Sequence, residues 1–395
     1  MALSLPVITL RPRKARPFFA GHPWVFAGSI ARGGDDVPPG TEVRVVSHEG
    51  QFVGRGLVNP AGAIRVRLYQ WHDAPLDQAF WRSRIAEAVR LRREVLRIDG
   101  PRRLVFSEGD RLSGLTVDQY DRWLVVQITS RALYEHREVL LDALVDEVHP
   151  TGVIVRGERS IAKREGLDIV PGLARGDAPD GPVQVWEHGL RWEVDLTAGQ
   201  KTGCYLDQRD NRLAVASYAT GRRMLDLHCY TGGFSLTGLR HGQAAETLGI
   251  DASAKAIESA RRNAERNGLA AATFEVDDVL TRLERLRANG ERFGLVVVDP
   301  PKFARDAAGL DDALNGYTRL NRAALGVLEP HGVLATCSCS GLVDRGLFLA
   351  MLGRVEELSG RNIQVLEQRG QAADHPVAAS CLETDYLKCV IARVG

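Results

Sequence analysis

The sequence lacks any run of about 18 consecutive apolar residues, so it predicts no membrane-spanning helix. Its N-terminal stretch, MALSLPVITLRPRK, also lacks the basic start and long apolar segment of a secretory signal, and we therefore expect a cytoplasmic protein. The six cysteines form no CxxC pair and show no His-rich spacing typical of structural zinc. We expect reduced thiols and no resident metal.

Net charge is also small, +1 over 395 residues, but it is unevenly distributed along the chain. Residues 1–105 carry 17 Lys and Arg against 9 Asp and Glu, whereas the remainder carries 34 against 41. A basic front suggests a polyanion partner such as a nucleic acid, although a solvated arginine face is the commoner cause of such a count. Charge alone does not decide between these two explanations.

Three segments of different character predict three domains. Residues 1–72 contain short β-type runs separated by Gly and Pro, with the alternation of a small β-barrel or sandwich in which Arg67 faces outward. Residues 73–185 combine a basic amphipathic helix, further strands and a helix over 132–147, as in a small α+β domain. In residues 186–395, a hairpin-like pair precedes β-type runs that alternate with helical ones, which predicts a largely parallel, doubly wound α/β sheet.

Residues at the ends of three strands of this sheet predict a nucleoside site. LDLHCYTGGFS is a strand, a loop and the start of a helix, and its Gly232 lets backbone approach a ligand, although a tight turn explains a glycine pair equally well. The next strand ends in Asp251, where a carboxylate can accept both hydroxyls of a ribose. The third strand ends in DDV. There Asp278 can accept from the amine of adenine and the Val279 amide can meet the ring edge, unless Asp277 or Asp278 caps the following helix.

The next two strands end in residues that suggest a reaction. DPPKF places Asp299 beside two prolines that hold the backbone rigid, and Phe303 offers a ring that either stacks on a base or packs in the core. GVLATCSCSG places Cys337 and Cys339 on one side of a strand, with Cys339 at or just past its carboxyl end. Two cysteines on one strand face usually pack, but a thiol at the ligand edge is a candidate nucleophile. Metal binding would need further ligands, which the sequence does not declare.

Together these motifs resemble the S-adenosylmethionine-dependent methyltransferases, in particular the RlmI-like family that makes 5-methylcytosine in 23S ribosomal RNA. GHPWVFAGSI and VGRGLVNPAGAIRVRLY look like that family's N-terminal PUA domain, an RNA-binding pseudo-barrel. The motifs KTGCYLDQRDNR, CYTGGF, DPPKF, SCSG, ADHPV and LKC then follow in family order. The resemblance implies a Rossmann-like class I methyltransferase sheet preceded by the PUA domain and a small α+β domain.

Carried over by position, the resemblance makes Cys339 the catalytic nucleophile and Asp299 the acid at the target base. Cys337 stands where the family usually has an apolar residue, so its thiol is expected to pack. The remaining site residues are expected to bind S-adenosylmethionine. Tyr230, Thr231, Gly232 and Asp251 correspond to its methionine and ribose parts, Asp278 and Val279 to adenine, and Lys201, Tyr205 and Gln208 to a segment that closes over it.

The reaction that the resemblance implies is methyl transfer to carbon 5 of a cytosine in 23S ribosomal RNA, free or in a large-subunit assembly intermediate. Many RNA cytosine-5 methyltransferases carry a second cysteine after the proline of the Asp-Pro motif, but here that neighbourhood is PPKF, which argues against a two-cysteine mechanism. Water or Asp299 could then remove the carbon 5 proton. The target nucleotide and the oligomeric state stay open, and a homodimer is compatible with the sequence.

Two other functions compete with this interpretation. An amino-group RNA methyltransferase would use a D-P-P-aromatic motif without a thiol, although here Lys302 occupies the fourth position and the aromatic ring comes one residue later. A non-catalytic RNA-binding assembly factor would use the basic front and a vestigial cofactor fold. Binding of S-adenosylmethionine separates the enzymes from the assembly factor.

Overall fold

The computed structural model describes residues 5–157, 159–196, 204–303 and 307–395. The chain divides into two compact units. Unit 1 comprises Met1–Val185, Val194–Thr202 and Ala373–Thr384, and unit 2 comprises Trp186–Glu193, Gly203–Ala372 and Asp385–Gly395. Within the described residues, every helix is too short or too polar to cross a membrane.

Unit 1 begins with a six-stranded sheet in the order β2-β6-β5-β4-β1-β3. Its elements are β1 (Val7–Leu10), α1 (Arg16–Phe19), β2 (Trp24–Phe26), β3 (Ile30–Arg32), β4 (Glu42–Val46), β5 (Phe52–Val58) and β6 (Ile64–Gln70). The β1 and β4 strands are parallel, and the other neighbours are antiparallel. Alternating apolar residues such as Val43, Val45, Val66 and Leu68 are buried in one hydrophobic core, as the period-two pattern predicts.

The second sheet of unit 1 has five strands in the order β11-β10-β9-β8-β7. Its elements are α2 (Gln78–Arg90), β7 (Arg102–Phe106), β8 (Leu115–Tyr120), β9 (Trp123–Ile128), α3 (Arg131–Tyr134), α4 (Arg137–Val148), β10 (Gly152–Arg156), α5 (Arg159–Glu165) and β11 (Gly172–Gly176). Asp77 caps α2 by accepting the Phe80 N–H at 2.9 Å. The single helix expected over 132–147 is wrong, because α3 and α4 are separate helices. A hairpin of β12 (Val183–Glu187) and β13 (Leu190–Val194) follows.

Unit 2 is a seven-stranded sheet flanked by helices, in the order β16-β15-β14-β17-β18-β20-β19. Its elements are α6 (Arg209–Ala216), β14 (Arg223–Leu227), α7 (Gly233–Arg240), β15 (Glu246–Asp251), α8 (Ala254–Arg266), β16 (Ala272–Val276), α9 (Val279–Ala288), β17 (Phe293–Val298), α10 (Leu310–Leu325), β18 (Leu328–Ser338), α11 (Arg345–Ser359), β19 (Ile363–Arg369) and β20 (Lys388–Val394). The five strands from β16 to β18 are parallel, whereas β20 is antiparallel to both its neighbours. The predicted doubly wound, largely parallel sheet is confirmed.

The strand order of unit 2 reverses between β14 and β17, and that reversal locates a binding site. From β14 the chain builds outward to β15 and β16, then returns to add β17 and β18 on the other side of β14. Helices that leave adjacent strands in opposite directions open a crevice at the carboxyl ends of those strands. All six residues of β17 are buried, as is typical of a central parallel strand covered on both faces. The loops after β14, β17 and β18 are therefore the first place to look for function.

Candidate active site

Three neighbouring strands deliver the predicted site residues to one edge of the sheet. In the pairing register, Val298 of β17 lies opposite both Leu227 of β14 and Thr336 of β18. The residues that follow these positions therefore emerge side by side. They are the loop from His228 to Gly232, the carboxylate of Asp299, and the segment that contains Cys339.

The loop after β14 turns sharply through backbone conformations that favour glycine. Positive φ angles occur at His228 (61°), Tyr230 (51°) and Gly232 (86°). A Cβ atom at Gly232 would lie 2.9 Å from the ring of Phe274, closer than side chains tolerate. The glycine is therefore required both by its φ angle and by its contact with Phe274. The predicted Gly232 is the N-cap of α7, whose first backbone N–H groups have no partner within the helix.

Asp251 is held in place at the end of β15 by two backbone amides. Its Oδ2 accepts the Tyr230 N–H at 3.0 Å, and its Oδ1 accepts the Ser253 N–H at 2.8 Å. Each carboxylate oxygen has a further lone pair, so the group can still accept hydrogen bonds from a diol. The structure thus joins the Tyr230 loop and the predicted ribose acid into one hydrogen-bonded feature.

Asp226, in the apolar strand β14, is a buried carboxylate to which the sequence analysis assigns no role. Its side chain is fully buried, and its Oδ2 accepts from the backbone N–H (3.0 Å) and the hydroxyl (2.8 Å) of Ser235 in α7. Its Oδ1 is buried and has no hydrogen-bond partner among the described residues. Burial raises the pKa of this carboxyl to about 7. The sequence signal for this residue was an aspartate within the apolar run LDLH, because a carboxylate in a buried strand is costly unless a specific partner compensates it.

The end of β16 carries the two residues expected at adenine. Asp278 caps α9, because its Oδ1 accepts the backbone N–H of Thr281 at 2.9 Å and its hydroxyl at 2.8 Å. These hydrogen bonds hold the pKa of Asp278 below its ordinary value, so the group stays ionised at neutral pH. Val279 is the first residue of the helix, and its side chain is buried. The capping alternative is therefore what the structure shows, and any contact of Asp278 with a ligand would be an additional role.

Asp299 lies directly after β17 and is partly buried. Burial is the main cause that raises its pKa to about 7, and the nearby carboxylates of Asp207 and Asp226 add to the rise, while the Gln208 amide opposes it. A carboxyl with that pKa is protonated in a large fraction of molecules near neutral pH. Asp299 can therefore donate a proton or a hydrogen bond to a base under conditions in which an ordinary aspartate cannot.

Two of the three residues expected to close over the cofactor are described, and Lys201 lies outside the described residues. The ring of Tyr205 contacts that of Tyr230, with centroids 5.2 Å apart and planes inclined by 64°. Gln208 is buried, and its Oε1 accepts from the Asn211 amide at 2.7 Å. Its Nε2 is also buried and faces Asp299, where it opposes the rise in the pKa of that carboxyl. Tyr205 and Gln208 thus reach the same edge as the loop after β14 and Asp299.

The two cysteines at the end of β18 have different environments. Cys337 is fully buried opposite Cys389 of β20, and contact with that thiol together with burial raises its pKa well above the ordinary value. Cys339 follows the last residue of β18 and is partly exposed. The expectation that Cys337 packs is confirmed by its burial. Of these two cysteines, Cys339 is the one whose side chain reaches the surface at the carboxyl end of the sheet.

Sequence comparisons decide the family. A profile described as a PUA-like domain matches residues 8–71, and one described as an S-adenosylmethionine-dependent methyltransferase matches residues 173–381. Ribosomal RNA large subunit methyltransferase I of Citrobacter koseri is 36% identical over 392 residues, which cover 98% of this chain and 99% of that protein. The protein of the same name from Escherichia coli O157:H7 is also 36% identical over 392 residues, with the same coverage. The chain belongs to the RlmI-like family of S-adenosylmethionine-dependent methyltransferases.

Solved structures agree on the fold of this RlmI-like protein. A structure described as a methyltransferase complexed with SAH superposes with a TM-score of 0.85 at 18% identity, covering 98% of this chain and 99% of that one. A second, described as a SAM-dependent methyltransferase from Streptococcus mutans, gives a TM-score of 0.84 with the same identity and coverage. The predicted fold class, a PUA-like β domain followed by a methyltransferase α/β sheet, is confirmed.

S-adenosylmethionine is the cofactor of this RlmI-like protein, and the residues at the strand ends fit it. The cofactor carries an ammonium group and two ribose hydroxyls, which need acceptors, and a carboxylate, which needs donors. Asp226 offers a buried Oδ1 with no partner among the described residues, and Asp251 keeps free lone pairs. The amide groups at the Gly232 helix start supply donors for a carboxylate.

Unit 1 holds a cluster whose geometry resembles a metal site, formed by His22, Cys381 and Glu383. The three potential ligand atoms lie within 4.8 Å of one another. His22 Nδ1 accepts the backbone N–H of Trp24 at 3.2 Å, so the neutral ring carries its proton on Nε2, which lies 3.5 Å from Glu383 Oε1. The Cys381 thiol donates to the other oxygen of Glu383 at 3.4 Å. Hydrogen bonding thus explains the cluster. A neutral histidine that binds a metal through Nε2 must carry its proton on Nδ1, but here Nδ1 accepts the Trp24 N–H and therefore carries no proton.

Proposed function

We propose that the protein transfers a methyl group from S-adenosylmethionine to carbon 5 of a cytosine in 23S ribosomal RNA through a covalent adduct with Cys339. The observation that carries the proposal is the placement of a partly exposed thiol and a carboxyl of raised pKa at the ends of adjacent strands, β18 and β17. The name of the curated relatives, ribosomal RNA large subunit methyltransferase I, supports the choice of RNA.

Cofactor contacts are assigned by position along the sheet edge. The backbone of Tyr230, Thr231 and Gly232 receives the methionine part, and Asp251 receives the ribose hydroxyls. Asp278 and the Val279 amide contact adenine from the N-terminus of α9. Tyr205 and Gln208, which directly precede α6 in the sequence, line the site from the segment expected to close over the cofactor. Lys201 belongs to the same segment of the sequence.

The thiol is needed because carbon 5 of cytosine is a poor nucleophile in the intact ring. The Cys339 thiolate attacks carbon 6, the S–C bond forms, and the electron pair of the 5,6 double bond makes carbon 5 enamine-like. Protonated Asp299 donates to ring nitrogen 3 and stabilises the charge that develops there. Carbon 5 then forms its bond to the electrophilic methyl group that bound S-adenosylmethionine would supply, and the cofactor would leave as S-adenosylhomocysteine. Loss of the carbon 5 proton to water or to the Asp299 carboxylate then allows the S–C bond to break and releases the Cys339 thiolate.

The product distinguishes this reaction from methylation of the exocyclic amine, which needs no thiol. We expect RNA incubated with isotopically labelled S-adenosylmethionine, then digested to nucleosides and separated by liquid chromatography with mass detection, to contain labelled 5-methylcytidine. Labelled N4-methylcytidine or N6-methyladenosine would contradict the proposal and support the amino-group alternative. Incorporation of no label, together with retained RNA affinity, would support the non-catalytic assembly factor.

We further propose that an exposed basic segment of the PUA-like domain contacts RNA phosphates. Arg11, Arg13, Lys14 and Arg16 are exposed, and none of them forms an ion pair with another described residue. Reversing two of them, Arg13→Glu with Lys14→Glu, is expected to weaken RNA binding about tenfold or more at 0.1 M salt. The slope of log K against log salt should fall by about 2, since each phosphate contact contributes about one unit.

Filter binding or fluorescence anisotropy across a salt series measures both quantities. The matched control reverses two exposed arginines on helices of unit 2, Arg287→Glu with Arg354→Glu. This control keeps the same net charge change while leaving the PUA-like domain intact. Equal losses in the two double variants would show a non-specific effect of net charge and would refute the assignment.

A further inference from the structure

A lysine with no role in the reaction described above lies buried next to the Cys339 segment. Lys388 is the first residue of β20, and its backbone pairs with Ser338 of β18. The residue is 1% exposed, and its Nζ donates to the backbone oxygen of Ser340 at 2.5 Å and to that of Tyr386 at 2.8 Å. The ammonium group is thus fixed to the residue that directly follows Cys339.

Two further hydrogen bonds hold the same segment. The Ser338 hydroxyl donates to the Tyr317 hydroxyl at 2.9 Å, and the Ser340 N–H donates to the Ser338 oxygen at 3.3 Å. Both residues that flank Cys339 are therefore held by side chains from neighbouring elements, one from α10 and one from β20. Of these anchors, Lys388 is the one that can carry a charge.

Burying an ammonium group is costly unless negative charge compensates it. The charged groups around Lys388 are Asp344, Arg345, Asp385 and the Cys339 thiol in its ionised form. Asp344 caps α11 by accepting the Leu347 N–H at 2.8 Å, and Asp385 pairs with Arg345 at 3.4 Å. Both carboxylates are therefore already engaged, and the two carbonyl oxygens on Nζ carry only partial charge. A thiolate at Cys339 would supply the compensating charge next to the ammonium.

We propose that Lys388 is a positioning residue that fixes the Cys339 segment and stabilises its thiolate. The catalytic meaning of this inference rests on the proposed function, in which Cys339 is the nucleophile. The effect is reciprocal by linkage, since a cation that lowers the pKa of a thiol has its own pKa raised by the thiolate. The phenols of Tyr205 and Tyr317 also face Cys339, but burial raises the pKa of both, so they stay neutral in the relevant range.

The pH range of the effect follows from the lysine. Burial lowers the pKa of Lys388 to about 8, while Cys339 and Asp385 oppose that fall. Lys388 therefore carries its charge below about pH 8 and loses it above. The support for the thiolate is present at neutral pH and disappears in alkaline solution, where a thiol ionises without help.

The test measures thiolate formation directly. The rate of alkylation of Cys339 by iodoacetamide, followed by mass spectrometry of the Cys339 peptide from pH 5.5 to 10, gives the apparent pKa of this thiol. In Lys388→Met we expect that pKa to rise by about one unit or more, which corresponds to about tenfold slower alkylation at pH 7. Lys388→Arg should restore most of the wild-type profile. An unchanged pKa in folded Lys388→Met would overturn the proposal.

Two controls separate charge from structure. Ser338→Ala removes a hydrogen bond of the segment without changing charge, so it is expected to leave the pKa of Cys339 within a few tenths of a unit. Lys388→Gln keeps a donor for the Ser340 oxygen and serves if Lys388→Met does not fold, as judged by circular dichroism and cofactor binding. A pKa rise in Ser338→Ala equal to that in the lysine variants would refute a charge effect.

The outcome is independent of whether Cys339 attacks cytosine. If Lys388→Met raises the pKa of the thiol but wild-type protein makes no 5-methylcytidine, the inference on Lys388 stands and the proposed function fails. If 5-methylcytidine forms and the pKa does not move, the function stands and the inference fails. Neither result depends on the other.

Discussion

Substitution of Cys339 by Ala is expected to abolish methylation, with a loss in kcat of about 10⁴-fold or more. Among the described residues that follow β14, β17 and β18, Cys339 is the partly exposed thiol, and the proposed reaction needs its bond to carbon 6 to make carbon 5 reactive. The variant should fold normally, since Cys339 is partly exposed and lies outside the buried core. Label transfer from S-adenosylmethionine to RNA under single-turnover conditions is the measurement.

The same residue should trap a substrate analogue. RNA that contains 5-fluorocytosine cannot lose a proton from carbon 5, so the S–C bond persists, and a denaturation-resistant complex is expected with wild-type protein and not with Cys339→Ala. Retained methylation in the variant, or trapping without Cys339, would sink the nucleophile assignment.

Two further variants separate loss of the nucleophile from loss of folding or of cofactor binding. Cys337→Ala changes the buried neighbour two residues away, and we expect normal trapping with a stability loss of about 1 kcal/mol, typical of removing one buried methyl-sized group.

Asp251→Ala removes the carboxylate assigned to the ribose, and calorimetry should show about tenfold or greater loss of affinity for S-adenosylmethionine. Cys339→Ala should keep that affinity. If Asp251→Ala binds the cofactor as wild type does, the ribose assignment is wrong.

The architecture of unit 2 could be predicted because its sequence signals are local and repeated. Each parallel strand is a short apolar run that ends in a polar or glycine-rich loop, so the ends of β14, β15, β17 and β18 can be identified from the sequence alone. Because parallel strands end at one edge, residues 48 positions apart in the sequence, Asp251 and Asp299, could be expected to serve one site. Strand pairing adds what no local signal gives, namely that β17 lies between β14 and β18.

The charge pattern of the front of the chain was a weaker guide, because ion pairs cross the boundary used to count it. Arg67, expected to face outward, is buried and lies 3.4 Å from both Glu108 and Glu165. Arg92 pairs with Asp110 at 2.6 Å. Over residues 1–185 the chain carries 26 Lys and Arg against 23 Asp and Glu, so most of the excess is balanced within that range. Alternation along one strand could not reveal carboxylates that arrive from other elements.

Buried polar residues were the other feature that sequence reasoning did not find. Asp226 and Lys388 each lie in a strand of apolar neighbours, and each is held by contacts with residues 9 and 48 positions away respectively. A single sequence gives no means of pairing such distant positions. The general signal was present, since a charged residue within an apolar strand carries a cost that only a specific partner offsets.

Substitution of Asp299 by Asn is expected to lower activity and raise stability in the same molecule. The amide keeps the shape of the side chain but cannot give up a proton to ring nitrogen 3, so we expect kcat to fall by about 10²- to 10⁴-fold. In the wild type, activity should decline as pH rises through about 7, where Asp299 loses its proton. The remaining activity of Asp299→Asn should lack that decline.

The stability effect has the opposite sign because the folded protein disfavours the charged carboxylate. The pKa of Asp299 is raised from 3.8 to about 7, so the unfolded chain releases the proton first as pH rises, and the folded state pays an increasing penalty between about pH 4 and 7. At pH 8 that penalty is complete. Asp299→Asn should then be more stable than wild type by about 1–3 kcal/mol, less than the full shift would give because the carboxyl is partly exposed.

The sign of this stability difference is tested by thermal unfolding of the wild type and of Asp299→Asn at pH 5 and at pH 8. We expect a small difference in Tm at pH 5 and a clear gain for Asp299→Asn at pH 8. If Asp299 merely supported the fold, Asp299→Asn would lower both the stability and the activity of the protein at both pH values. Loss of both stability and activity in Asp299→Asn would therefore refute a catalytic role for Asp299. If Asp299 is a catalytic acid whose ionised form is disfavoured in the folded state, the substitution abolishes its function but stabilises the protein.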